Sequence, residues 1–321
     1  MLQRPWLPGL LSGVFLGVIT IPRGPFPLWQ WAIFFGFVPL WSYWLRERDT
    51  KRIVLAGWVC QFVFTLIAFH WIAYTVNEFS HLGRTLSVLV MLAYCTLGNL
   101  QFPLAGLAWA TLFKNEARAS VSGIAGLALL TAIGQRIGTA IFHWNFGYAW
   151  LYLRLPGAQI AEVFGFRGLC TLTICLNGLV LAAWLRRSSA SAFIPLGLAI
   201  AIFGGVNAIG AWRLRLLPSP DAVARVLLIQ PNVGNREKER LESKDEAYRE
   251  RALEHMFALT GNAIKAVAPM RPDFAIWPEN AFPGFIADVP LTFGLTPRLA
   301  KFLQAQKLKD RKSTRLNSSH V

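Results

Sequence analysis

One carboxylate stands where a short apolar run breaks. Asp273-Phe-Ala-Ile-Trp-Pro-Glu279 carries an apolar stretch into a proline turn and delivers Glu279 just beyond it. A carboxylate lifted out of an apolar strand in this way suits a general base, because partial burial raises its pKa toward working pH. A second run, Arg225-Val-Leu-Leu-Ile-Gln-Pro-Asn232, has the same build, with aliphatic residues closed by Pro-Asn. Both read as short buried strands. Gln230, Asn232 and Glu279 then stand at or beyond strand ends, where open α/β sheets bind their ligands. Taken alone, Glu279 is a candidate, since turn glutamates are more often simply solvated.

Between the two runs lies a segment, 236–268, that is densely charged at first. It carries Leu241, Tyr248, Ala252, Met256, Ala263 and Val267 at helical spacings, the mark of an amphipathic helix. Strand, long helix and strand predict a right-handed βαβ unit with parallel strands. That topology is what would gather the strand-end residues into one crevice.

The chain before this unit is of a different kind. Of 321 residues 54% are hydrophobic and 15% charged, with mean hydropathy +0.42, against about 25% charged in soluble domains. Apolar runs long enough to cross the hydrocarbon core fall near 6–22, 28–45, 53–76, 85–113, 119–138, 158–185 and 192–212, about seven in all. The fourth is long enough either to tilt or to hide a break at Pro103. The composition shift divides the chain into a helical transmembrane domain over 1–217 and the start of an α/β domain over 218–308. Residues 309–321, Lys309-Asp-Arg-Lys-Ser-Thr-Arg-Leu-Asn-Ser-Ser-His-Val321, have no apolar periodicity and read as a disordered or foreign tail.

Charge and cysteine usage narrow the function classes. The net charge of +15 is spread over the loops between apolar runs instead of gathered on one patch, which argues against nucleic acid as a partner. Juxtamembrane cations facing anionic membrane lipids account for it. Cys60, Cys95, Cys170 and Cys175 all lie inside apolar runs, as small buried hydrophobes do, so neither a disulfide framework nor a metal site is expected. The first apolar run lacks a cleavage site and reads as a first spanning helix, not a signal peptide. With the N-terminus cytoplasmic, the inner loops hold Arg46, Arg48, Lys51, Arg52, Lys114, Arg118, Arg186 and Arg187. The outer loops hold Arg23, Arg84, Arg136 and Arg154. Arg213 and Arg215 follow the last run on the outer side and count against this, although charges leading into a translocated domain weigh less, and the polar part is expected on the outer side. Trp29, Trp31, Trp41, Trp44, Trp144 and Trp150 cluster near run ends, as interface-anchoring indoles do.

Polar residues within or beside the runs are His70, His143, Glu162, Arg167 and Asn177. For Glu162 and Arg167 the outer interface is expected, with pairing or headgroup contact as their role. Gly165, Gly168 and Gly178 are expected to permit close helix packing.

These features together resemble a known family. Phe69-His-Trp-Ile-Ala-Tyr-Thr75, Asn145-Phe-Gly-Tyr-Ala-Trp150, Gln159-Ile-Ala-Glu162, Gly165 with Gly168, Ile229-Gln-Pro-Asn232 and Trp277-Pro-Glu279 stand in the order and spacing seen in bacterial apolipoprotein N-acyltransferases. These are membrane-embedded members of the nitrilase (carbon-nitrogen hydrolase) superfamily. The resemblance covers nearly all of residues 1–300. It implies a nitrilase-like α-β-β-α sandwich after the helices, on the periplasmic face of the inner membrane, and a Glu-Lys-Cys triad needing neither metal nor cofactor. The cysteine takes an acyl chain from a phospholipid as a thioester and passes it to the α-amino group of a lipoprotein's N-terminal diacylglyceryl-cysteine. Glu279 matches the family's base, and Asn232 and Trp277 are the substrate contacts it suggests.

The sequence also departs from that pattern. No cysteine follows Cys175, the family's lysine and last spanning helix are not found, and Lys238 is followed by Glu239 where the family often has a Trp. The expectation is therefore a truncated and inactive enzyme. The alternative is a transporter-like or non-catalytic membrane protein with a small extramembrane cap. A transporter predicts internal repeats and broken helices around a midplane site.

Overall fold

A computed structural model describes residues 4–21, 29–80, 82–113, 118–137, 142, 144–218, 224–232, 248–270, 272–278 and 295–305. It separates into two compact units, Met1–Pro218 and Ser219–Val321.

The first unit is a helical bundle. Its helices are α1 (Trp6–Val18), α2 (Val38–Arg46), α3 (Thr50–Ala68), α4 (Trp71–Ser80), α5 (Gly83–Leu97), α6 (Gln101–Leu112), α7 (Val121–Ile137), α8 (Tyr148–Tyr152), α9 (Ala161–Leu185) and α10 (Phe193–Arg215). Thr50–Ala68, Gly83–Leu112, Pro156–Leu185 and Ala190–Arg215 are long and apolar enough to cross a membrane. Trp6–Val18 and Val121–Ile137 are apolar but shorter. Side chains such as Leu89, Leu129 and Ile200 stay exposed on the bundle, apolar surface of the kind that a bilayer covers.

Close helix contact is built on glycine. Gly9, Gly13 and Gly17 recur at intervals of four on α1, one above another. A methyl group at Gly9 would lie 2.4 Å from the Ala56 carbonyl oxygen, at Gly13 2.8 Å from that of Cys60, and at Gly17 2.8 Å from Cβ of Ile67. The backbones of α1 and α3 can meet only because those methyls are missing, the small-residue interface of membrane helices. Nearby, Trp41, Trp44, Phe37, Phe64, Phe102 and Phe146 are fully buried, with Phe37 stacked on Trp41 at 5.0 Å and edge-on to Phe102 at 5.4 Å.

Three apolar runs differ from simple spans. The run expected over 28–45 is a 3-10 helix, Trp29–Phe34, then a turn, then α2. Pro39 lacks the N–H an unbroken helix would need there and instead occupies the first turn of α2. The run over 53–76 breaks after Ala68, and His70 Nδ1 lies 2.9 Å from the Ile67 carbonyl oxygen at that corner. The fourth run breaks at Gly98–Leu100, not at Pro103. Pro103 falls in the first turn of α6, where an N–H has no intrahelical partner to lose.

The second unit contains strands β1 (Val226–Leu228) and β2 (Phe274–Ile276), joined through helix α11 (Tyr248–Ala266), and a further helix, α12 (Leu295–Ala305). The strands pair in parallel, Val226 opposite Phe274 and Leu228 opposite Ile276, as the strand-helix-strand pattern predicts. Leu253, Met256 and Thr260 form the buried face of α11, and Phe257 stacks on Phe302 of α12 at 4.3 Å.

Candidate functional site

Glu279 lies outside the described residues, as do His143 and Lys238. What is described is the scaffold that leads to Glu279. At the amino ends of the strands Arg225 and Asp273 clamp the sheet. The Arg225 N–H donates to Asp273 Oδ2 at 2.8 Å, the Asp273 N–H donates to the Arg225 carbonyl at 2.8 Å, and the guanidinium stands 3.5 Å from the same carboxylate. The Arg225 N–H, with its guanidinium in support, holds the Asp273 carboxyl below its ordinary range. At the other end the Ile229 N–H donates to the Ile276 carbonyl at 3.0 Å, extending the pairing one step past β1.

Parallel pairing sends both chains out of the sheet at the same edge. Gln230 to Asn232 leave β1 there, and Trp277 with Pro278 leave β2 there. Asn232 is exposed with φ of 55°, a left-handed conformation that asparagine tolerates better than most residues. Trp277 is half-buried. Its Nε1–H donates to the Thr260 hydroxyl at 3.0 Å, and its ring lies 6.1 Å from that of Phe257. The Trp277 polar atom is thus engaged inside the protein. Thr260, which no sequence signal singled out, is the one buried polar side chain among the described residues of this unit. A threonine on the apolar face of an amphipathic helix was the available hint.

In the helical unit Glu162 pairs with Arg213 at 2.7 Å, joining the start of α9 to the end of α10. Beside it the Gly157 N–H donates to Asn207 Oδ1 at 3.0 Å. Asn177, fully buried, donates from Nδ2 to the Ile33 carbonyl at 2.7 Å and accepts the Phe37 N–H at 3.1 Å. The glycines expected to serve packing divide. Gly165 has φ of 68° inside α9 and nothing near a would-be Cβ, so it serves a bend. Gly168 has Phe164 2.5 Å from that position, and Gly178 meets Ile124 and Ala128 at ordinary distance.

A bundle with membrane-length apolar helices, joined in sequence to a parallel strand-helix-strand unit, defines a membrane protein with an appended α/β segment. Residues 12–179 match the family described as the apolipoprotein N-acyltransferase N-terminal domain. A protein named apolipoprotein N-acyltransferase from Bdellovibrio bacteriovorus is 33% identical over 279 residues, covering 86% of this chain and 50% of that protein. Proteins of the same name from Chlorobaculum tepidum and Allorhizobium ampelinum are 24% and 28% identical, covering 89% and 90% of this chain and 51% and 54% of theirs. The chain belongs to the apolipoprotein N-acyltransferase family. It spans about half the length of the curated relatives it matches.

Proposed function

We propose that this chain carries the membrane domain and the base-bearing first part of an enzyme that N-acylates bacterial lipoproteins. Family membership carries the reading, and the parallel unit ending in Trp277-Pro-Glu279 gives it a chemical site. The proposed donor is a phospholipid and the acceptor the amino-terminal diacylglyceryl-cysteine of a lipoprotein. In the first half-reaction the Glu279 carboxylate takes the thiol proton. The thiolate then attacks the ester carbonyl, C–S forms as C–O breaks, and the proton passes to the departing lysophospholipid oxygen. In the second, Glu279 takes a proton from the attacking amine and returns it to the sulfur as the amide forms. A lysine and a backbone N–H would hold the oxyanion. Asn232 and Trp277 flank this chemistry at the strand ends. None of the four cysteines lies in the polar unit, so the 321 residues by themselves hold the base without its thiol.

The proposed setting is the inner membrane, crossed about seven times, with the N-terminus cytoplasmic and a nitrilase-like domain, beginning at 218–308, in the periplasm. One contact in the helical unit fits the grouping of loops that this topology needs. The Arg118 guanidinium donates to the Glu47 carbonyl, so the loops holding Arg46–Arg52 and Arg118, both expected inside, share one end of the bundle. Gly178 lies against Ile124 and Ala128 near that end. Glu162, paired with Arg213, stands sixteen residues earlier in the chain, beyond the bend at Gly165. The test is expression of the complete product of this gene in a bacterium depleted of its own N-acyltransferase. Mass spectrometry of a lipoprotein should show the third acyl chain, and a lipoprotein left diacylated would overturn the reading.

A further inference from the structure

We propose that Thr260 is a positioning residue for Glu279, acting through Trp277; this rests on the reading of Glu279 as the base. The Thr260 hydroxyl donates to the Met256 carbonyl at 2.7 Å, one turn back on α11. Its proton is committed, so what it offers outward is a lone pair. The indole of Trp277 has only a donor to give, and it meets that lone pair at 3.0 Å. Phe257 beside the ring, itself stacked on Phe302, limits the other ways the indole could settle. The end of β2 is therefore pinned to the helix that crosses between the strands.

Two peptide bonds separate the pinned residue from Glu279 in sequence. Pro278 follows Trp277 and Glu279 follows Pro278. The proline ring fixes its own φ and confines the preceding residue to extended backbone. A hydroxyl 19 positions before Glu279 in sequence thus anchors Trp277, two residues before it. A base out of place by an ångström costs rate and leaves ground-state lipid binding alone, because proton transfer is made only in the transition state.

The test compares Thr260→Val, Thr260→Ser and Trp277→Phe in the complete gene product. Thr260→Val keeps the shape and removes the acceptor; it should lower kcat on the order of tenfold to a hundredfold with KM for phospholipid little changed. Thr260→Ser should retain the wild-type kcat. In 5-fluorotryptophan-labelled 321-residue chain, the Trp277 resonance, assigned by its loss in Trp277→Phe, should shift in Thr260→Val and stay in Thr260→Ser. Added to Trp277→Phe, Thr260→Val should lower kcat no further. A wild-type kcat in Thr260→Val, or additive losses in the double variant, would overturn the proposal. If Thr260→Val fails to fold, the serine variant still decides, because its hydroxyl must preserve both kcat and the resonance. Failure of the underlying reading shows separately: Glu279→Gln would then keep full activity, whatever Thr260 does.

Discussion

Asn177 on α9 bridges the broken segment before α2, donating to the carbonyl of Ile33 and accepting the N–H of Phe37. Backbone groups freed by a break inside an apolar bundle must find partners within the protein, and one amide side chain supplies both. Asn177→Leu preserves bulk and leaves the pair without this partner. It should cost about 1–3 kcal/mol, the range for a lost buried hydrogen-bond partner. Thermal unfolding in detergent checks this, and an unchanged transition would mean that the break is held by other contacts.

Glycine on α1 gives a matched pair of substitutions. At Gly13 a methyl would press on the Cys60 carbonyl oxygen and Val63 Cβ, both at 2.8 Å, whereas at Gly197 on α10 it would meet nothing within 4 Å. Gly13→Ala should destabilise by about 1–3 kcal/mol, as overpacking does. Gly197→Ala should be neutral or gain up to about 1 kcal/mol from helix propensity. Equal behaviour of the two would remove the close α1–α3 contact as an explanation.

What was legible in the sequence follows from which interactions leave a local trace. Both strands and their parallel pairing could be read, because aliphatic runs closed by proline turns on either side of an amphipathic helix permit few arrangements. Their expected burial is not found, since Val226, Leu228, Phe274 and Ile276 are exposed. The long spans could be read from length and polarity. The breaks at 35–37, 69–70 and 98–100 could not, since each depends on a partner far along the chain or on corner geometry that hydropathy averages away. Asn177 illustrates this: it lies 140 residues from Phe37. Gly9, Gly13 and Gly17 did carry a readable signal in their spacing of four, but apolar character alone drew the reading of that run. At the site, Asn232 and Trp277 follow their strands at one edge as expected, while Thr260 was hidden because its role exists only once α11 lies against β2.

Acid should weaken the loop between α2 and α3 in a defined direction. Burial alone would raise the Glu47 carboxyl. The N–H groups of Asp49 and Arg48, the Tyr43 hydroxyl at 2.8 Å and the Arg52 charge outweigh it, and the pKa falls below the ordinary 4.5. A group depressed in the folded state stabilises fully above its unfolded pKa and loses that contribution as pH falls through the folded value. Wild type should therefore exceed Glu47→Gln in stability near neutrality, and the gap should close as pH drops below about 4.5. A gap that is independent of pH would mean that the charge is not what matters at this position.

Topology yields a direct experiment. A reporter joined at residue 235 should behave as periplasmic, since the proposed topology has an odd number of spans after a cytoplasmic start. A reporter joined between Arg46 and Arg52, or near Arg118, should behave as cytoplasmic, those loops being tied together by the Arg118 to Glu47 contact. Opposite behaviour of the two loops would contradict the bundle itself, while a joint inversion would reverse only its orientation.

Chemistry gives the sharpest expectation. The 321-residue chain holds Glu279 and has no cysteine after Cys175. Cys60, Cys95 and Cys170 are buried in the bundle, and Cys175 lies mid-helix on α9, two turns and more from either end. The family's thiol is not among these residues, and loss of the nucleophile from a covalent mechanism removes nearly all of the rate. These residues expressed alone should neither acquire a thioester-linked acyl chain from phospholipid nor acylate a lipoprotein. In the complete gene product the general base is worth about 10²–10⁴-fold in rate, and Glu279→Gln should lose that much. Its side chain is isosteric, so membrane insertion and helix content should match wild type. Mass spectrometry of the enzyme separates the half-reactions: without its base the variant should fail to build the thioester at all. A Glu279→Gln enzyme that loads acyl chain at the wild-type rate would exclude Glu279 as the base, and acylation by the 321 residues alone would require a nucleophile other than the family's cysteine.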